Sequence, residues 1–224
     1  MKSADEDSSG EEMDEHSQKL WGAGSTFRDL QVLNLAFIRG ILSAPYCCGK
    51  GLDDESNIII DQLNMMNSLD MITTDSQPYT EFTVGVEINE IVKIRQRPFV
   101  QFYFPNEKAS KLMKELNKIK SSAVAIKFQF DNNTYEIYGL KEQVPIKCGR
   151  IPAGQKLKET GWKDYYGTSI PLNMTEGYVS DYIWTFGENF KKLIIEDLST
   201  ITIIDMKFSN SIFDELITIG KSLL

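Results

Sequence analysis

FVQFYFPNEKASKLMKELNKIK, residues 99–120, sets a strand directly against a helix. Phe99 to Phe104 is apolar or aromatic on both faces, as a strand at the centre of a sheet is. Pro105 cannot continue that ladder, and Asn106 is a good helix cap. Leu112, Met113, Leu116 and Ile119 then recur at helical spacing and give one buried stripe. Strand beside helix, with no βαβ rhythm carrying a glycine fingerprint, points to the α+β class.

The same reading extends in both directions. Val124, Ile126, Phe128 and Phe130 lead into Asp131-Asn132-Asn133-Thr134, a hairpin turn signal, with a partner strand over residues 135–140. Residues 141–177 are rich in Gly, Pro and Lys and read as a long irregular insertion with a short strand near 144–147. Residues 182–195 fit strand or helix equally. A strand over 200–208 and an amphipathic helix carrying Ile212, Leu216 and Ile219 close the chain.

Upstream, Phe82, Val84 and Val86 alternate as in a strand, and residues 87–97 are polar, a loop or strand end. Residues 71–74 form a short strand that stops at Asp75-Ser76-Gln77-Pro78. Leu30, Leu33, Phe37, Ile38 and Ile41 lie on one helix, capped by Ser25 or Thr26 and ended by Gly40 and Pro45. After the loop APYCCGKG, Asp53 or Asp54 caps a second helix with Ile59, Leu63, Met66 and Leu69 facing inward. The expectation is one α+β domain over residues 20–224, its sheet mixed or largely antiparallel, packed with about four helices.

The charge lies mostly at the amino end. Of the net −8 at pH 7, residues 1–19 contribute −5, leaving −3 for the rest. This stretch is expected to be a disordered acidic tail, because it has too little apolar surface to offset its ordering entropy. It reads as a solvating leader, or as a docking arm modified at Ser8 and Ser9. The remainder lacks the basic excess of nucleic-acid binders, so nucleic acid is not expected as a partner. No apolar run reaches the roughly 20 residues of a membrane-spanning helix, so no membrane is expected either. An intracellular site follows: cytoplasm, or host cytoplasm or virion for a viral chain.

Scarce residues exclude whole chemistries. The single histidine, His16, falls in the acidic stretch. A Ser-His-Asp triad, a Cys-His dyad and a histidine-rich zinc site therefore cannot be assembled in the body. Cys47, Cys48 and Cys148 are odd in number and imply no disulfide framework. Gly22-Ala23-Gly24-Ser25-Thr26 and Gly49-Lys50-Gly51 lack the context of a phosphate loop. Asp53, Asp54 and Glu55 suit a helix start, and Lys108, Lys111, Lys114 and Lys118 suit a solvated helix face. Neither a metal nor a cofactor is expected.

One segment gathers groups that do chemistry: Thr73-Thr74-Asp75-Ser76-Gln77-Pro78 puts hydroxyls, a carboxylate and an amide at a strand end. It is either a turn that closes the strand or the lining of a site. In the second case Thr74, Ser76 and Gln77 hydrogen-bond a polar ligand, Asp75 serves as base, and Arg97 pairs with an anionic group.

The runs Arg39-Gly40, Asp53-Asp54-Glu55-Ser56, Leu63-Asn64-Met65-Met66-Asn67, Ile72 to Pro78 and Gln96-Arg97-Pro98-Phe99-Val100 resemble an uncharacterised domain family of actinobacteria and large DNA viruses. The resemblance spans about residues 21–130 and is most specific in TTDSQP. The family has glycine at the position of Asp70 and usually glycine at that of Tyr79. The resemblance implies a fold unit and a candidate site, and carries no reaction. Two functions are therefore in contention. The first is a non-catalytic interaction or regulatory protein with a protein partner. The alternative is a small-polar-ligand binder or enzyme with its site at residues 73–78.

Overall fold

The structure is a computed structural model that describes residues 13–45, 47–87, 90–96, 98–118, 123–129, 134–139, 155–156, 162–165, 186–205 and 209–223. It is α+β. Six α-helices occur among these residues: α1 (Glu15–Ala23), α2 (Phe27–Ile38), α3 (Ile60–Ser68), α4 (Asn106–Lys118), α5 (Glu188–Asp197) and α6 (Ser211–Leu223). The two beyond the expected four are α1, which straddles the end of the stretch read as a tail, and α5, which lies mostly in the segment left open.

Eleven strands accompany them among the described residues. The first two, β1 (Ser43–Ala44) and β2 (Cys47–Lys50), form a small hairpin where a plain loop was expected. Then come β3 (Ile72–Gln77), β4 (Thr80–Glu87), β5 (Glu90–Gln96), β6 (Phe99–Pro105), β7 (Ala123–Gln129), β8 (Thr134–Gly139), β9 (Gln155–Lys156), β10 (Trp162–Tyr165) and β11 (Leu198–Asp205). The last named inserts at the centre of a five-stranded antiparallel sheet ordered β3-β6-β11-β7-β8. A second sheet, β4-β5-β10-β9, pairs β5 with β10 in parallel. The strand expected near 144–147 and Cys148 lie outside the described residues, as do residues 1–12.

Alternation along β6 and β11 explains where the helices go. Val100 opposes Ile203, and Phe102 opposes Ile201. These side chains join Leu63, Met66, Leu112, Met113, Phe213 and Leu216 from α3, α4 and α6 in one buried cluster. Period-two geometry puts Gln101, Tyr103, Thr200 and Thr202 on the other face. The face of Val100 and Phe102 is thus helix-covered, while the other carries the polar residues Gln101, Thr200 and Thr202 among Phe99, Tyr103, Ile204 and, on β7, Ile126 and Phe128.

The boundary expected at residue 19 falls inside α1, which begins at Glu15. Hydrogen bonds rather than an apolar stripe hold its start. The Asp14 carboxylate accepts from the Ser17 backbone N–H at 3.0 Å, the Ser17 hydroxyl at 2.7 Å and the Ser43 hydroxyl at 3.0 Å. Ser17 Oγ accepts from the Ser43 N–H at 3.1 Å, and Trp21 Nε1 donates to the Ser43 carbonyl at 2.8 Å. These bonds, the Ser17 N–H first, hold the Asp14 carboxyl well below the usual carboxylate range.

The cap of α2 is Thr26, closed as a capping box with Asp29. Both α2 and α3 then end on left-handed residues, Gly40 at φ 72° and Asp70 at φ 67°. The N–H of Met71 bonds the Met66 carbonyl at 3.0 Å, and that of Ile41 the Ala36 carbonyl at 2.9 Å. This is the Schellman pattern, which favours glycine at the left-handed position. Position 70 is where the resembled family has glycine; Asp70 keeps the turn and adds a carboxylate, paired with Lys108 of α4 at 2.8 Å. Buried amides lock α2 to α3: Asn34 Nδ2 donates to Asn67 Oδ1 at 2.9 Å, Asn67 Nδ2 to the Gln31 carbonyl at 2.9 Å, and Gln31 Nε2 to the Asn67 carbonyl at 2.6 Å. Asn106 is the first residue of α4 and reaches sideways. It donates to the Glu196 carbonyl at 3.0 Å and accepts from Ser199 at 2.6 Å. No described helix is long and apolar enough to cross a membrane.

Candidate functional site

The segment expected to end a strand continues it. Strand β3 runs through Gln77 against β6, with a bulge between Thr73 and Asp75. Thr73 opposes Phe102, Asp75 opposes Gln101, Ser76 opposes Val100 and Gln77 opposes Phe99. The extra residue decides which way the carboxylate goes. In an unbroken ladder Asp75 would sit opposite Val100, on the apolar, helix-covered face. The bulge shifts it to the polar face, since a one-residue slip exchanges the two faces of a strand.

Thr74 and Asp75 thereby converge on Gln101. Gln101 Nε2 donates to Thr74 Oγ1 at 3.3 Å, and the Thr74 hydroxyl donates to the Gln101 carbonyl at 3.4 Å. On the next strand Thr202 Oγ1 donates to Gln101 Oε1 at 3.2 Å. The result is a polar row across β3, β6 and β11. Its burial rises from edge to centre: Asp75 is exposed, Thr74 and Gln101 are half-buried, and Thr202 is 4 % exposed. Two residues along β11, Thr200 opposes Tyr103 and is 5 % exposed. Its Oγ1 has no hydrogen-bond partner. A buried hydroxyl without a partner carries an unmet desolvation cost, and such groups call for an explanation.

The electrostatics follow the same gradient. Asp75 keeps exposed surface, yet its carboxyl is crowded enough that desolvation pushes its pKa up to about 6. The Ser76 backbone N–H donates to this carboxylate and opposes the rise, while the charge of Asp53 adds to it. Asp53 precedes a 3-10 turn over Asp54–Ile59 and makes no side-chain cap there. The side-chain capping expected of it is therefore not made. Burial likewise raises the Tyr103 pKa and keeps the phenol protonated.

The expected site residues thus divide. Thr74 and Asp75 are brought together, and Gln77 shares the side of Asp75. Ser76 contributes its backbone N–H, its place in the ladder being on the opposite face. Arg97 lies outside the described residues. Sequence reasoning missed Gln101, Thr202 and Thr200, although signals existed. Gln101 is the one amide in an otherwise apolar strand, and Ser-Thr-Ile-Thr-Ile at 199–203 alternates hydroxyl with hydrocarbon. Among the described residues no group of three or more His, Cys, Asp or Glu side chains is arranged to hold a metal ion.

No curated protein matches this chain. A family model matches residues 16–137, more than half of the sequence and including all of β3 and β6. The chain belongs to that family, described as a domain of unknown function (DUF6919).

Proposed function

We propose that this protein binds a small polar ligand at the edge of its central sheet, on the face that carries Gln101, with Asp75 at the exposed end of the site and Thr202 at its buried end. The observation that carries this reading is the graded row Asp75–Thr74–Gln101–Thr202, wet at the sheet edge and dry at its centre. Ligand sites bring together a few convergent polar groups, and this row supplies them. A pure interaction role instead asks for a contiguous apolar patch. Leu20, Val32, Ile41, Ile58, Met65 and Ile195 are the exposed large hydrophobics among the described residues, spread along the chain.

The test is a thermal-shift screen with amines, amino acids, polyols, nucleosides and organic acids, run on wild type, Thr202→Val and Thr202→Ser. A compound that raises the wild-type and Thr202→Ser midpoints, and leaves Thr202→Val unmoved, supports the reading. A screen in which nothing shifts wild type, or in which every active compound shifts Thr202→Val equally, refutes it.

A further inference from the structure

Strands β6 and β7 belong to one sheet only through β11. It runs antiparallel to both, with Ile201 opposing Phe102 on one side and Lys127 on the other, and every residue of β11 is buried. Taken out, it would leave two facing strand edges two inter-strand steps apart, about 10 Å. Each edge would then present a row of unpaired N–H and C=O groups. A slot of this kind is completed by an inserted strand whichever chain that strand belongs to, as in donor-strand complementation.

What fills the slot arrives as a unit, residues 186–223, in which β11 follows α5 and precedes α6. Phe186 and Phe190 pack edge-on against Trp21. The Glu196 carbonyl and the Ser199 hydroxyl hold Asn106. The Asp205 N–H bonds the Pro98 carbonyl at 3.0 Å, and Asn210 Oδ1 accepts from the Tyr79 N–H at 2.6 Å. Phe213 and Leu216 join Leu63 and Leu112 in the core. The backbones meet as closely: a Cβ on Gly187 would strike the Gly22 carbonyl, and one on Gly24 the Phe190 ring. All these partners precede residue 130, and the family match ends at residue 137, before the unit begins. Strand β10 pairs with β5 and stays with the first part, so residues 166–185 are the covalent link that carries the unit to its slot.

We propose that residues 186–223 are an exchangeable insert, and that the slot between β6 and β7 is an interaction surface for a second copy of this chain. In the resulting reciprocal dimer each sheet is completed by the other copy's β11. The side chains select a copy over any other strand. Thr202 must meet Gln101, Ser199 must meet Asn106, and Ile201 and Ile203 must face the helices while the threonines face away. Every such contact is the same within one chain or between two, so concentration decides between them. A tethered partner acts at an effective concentration in the millimolar range. Exchange therefore belongs to chains that fold crowded together, and dilute chains close on themselves. This inference is independent of the ligand reading above.

The test uses the full chain with a site-specific protease sequence inserted after Gly167 or, in a second version, after Asn173; circular dichroism selects the version that folds as wild type does. Light and isotopically heavy chains are mixed in equal amounts in urea and refolded at micromolar and at millimolar concentration. The products are sized before and after cutting and weighed by native mass spectrometry. Micromolar refolding is expected to give monomers whose two pieces stay together once cut. Millimolar refolding is expected to give dimers that fall, on cutting, to particles of monomer size. Random pairing makes half of those particles a light first piece joined to a heavy second piece. A dimer that survives cutting, or that yields only unmixed particles, overturns exchange in favour of a surface contact. Release of the second piece from cut monomers overturns the slot, and monomer or aggregate alone at millimolar concentration overturns the exchange. Wild type, refolded in parallel, gives a measurement free of any insertion. Its dimer should persist for hours after dilution, because parting the copies means drawing β11 out of two sheets; a dimer lost within the mixing time overturns the proposal.

Discussion

Replacing Asp75 by Asn should stabilise the protein at neutral pH and do nothing in acid. The folded-state pKa of Asp75, about 6, lies above its ordinary 3.8. Between these values the folded chain holds a proton that the unfolded chain has released. Stability therefore falls as pH rises from about 4 to about 6, and is level beyond. The interval of about two pH units, at about 1.4 kcal/mol per unit, sets a ceiling near 3 kcal/mol. Because Asp75 keeps exposed surface, solvent screening brings the expected effect to about 1 kcal/mol. Asp14 and Asp29, whose pKa values are lowered by their hydrogen bonds, slope the other way and lose stability as pH falls. They are common to both proteins, so the difference between variant and wild type isolates Asp75. Urea midpoints at half-unit steps from pH 4 to 8 give that difference. It should be near zero at pH 4 and reach about 1 kcal/mol in favour of Asp75→Asn by pH 7. A flat difference, or one that grows toward acid, would refute the desolvated carboxylate.

Three further outcomes rest on other parts of the fold. Asp70→Gly should change stability by less than about 0.5 kcal/mol, since relief of a left-handed non-glycine residue offsets the lost Lys108 pair, whereas Asp70→Val should cost roughly 2 kcal/mol; urea melts of both decide it. Asn67→Ala should cost about 3 kcal/mol, because it strips partners from Asn34 and the Gln31 carbonyl in the buried seam between α2 and α3; a loss under 1 kcal/mol would show that water replaces the amide. Deleting residues 1–12 should leave the thermal midpoint in place, while deleting 1–19 should lower it by several degrees through loss of Ser17 and its bonds to Asp14 and Ser43. Equal midpoints in the two truncations would remove the structural role of α1.

Where one face of an element is apolar, the sequence told its conformation in advance. Helix α2 with its Thr26 cap, strand β6, helix α4, the β7–β8 hairpin and helix α6 all follow their hydrophobic periods. Elements held by polar contacts were hidden. Helix α1 depends on Ser17 meeting Ser43, 26 residues away, and no local pattern announces such a bond. Strand β5, Glu-Ile-Val-Lys-Ile-Arg-Gln, has too many charges to stand out from a loop. The candidate site was half visible. TTDSQP drew attention by its residue types, but the bulge that turns Asp75 to the polar face belongs to the pairing with β6. Thr200 and Thr202 entered the site only through the neighbour that β11 takes, and strand order is a property of the whole chain.

The central position of β11 bears on how the protein is made. Strands β6 and β7 leave the ribosome before it, yet they do not pair with one another; each waits for β11, completed at residue 205. At ordinary elongation rates of about 5–20 residues per second, the gap after β7 lasts roughly 4–15 s. During that time a nascent chain carries two strand edges with no partner, one of them lined with Phe99, Phe102 and Phe104. Unpaired apolar edges recruit other chains. Synthesis rate and chaperone supply, more than equilibrium stability, should therefore set how much of this protein reaches its folded state in a cell.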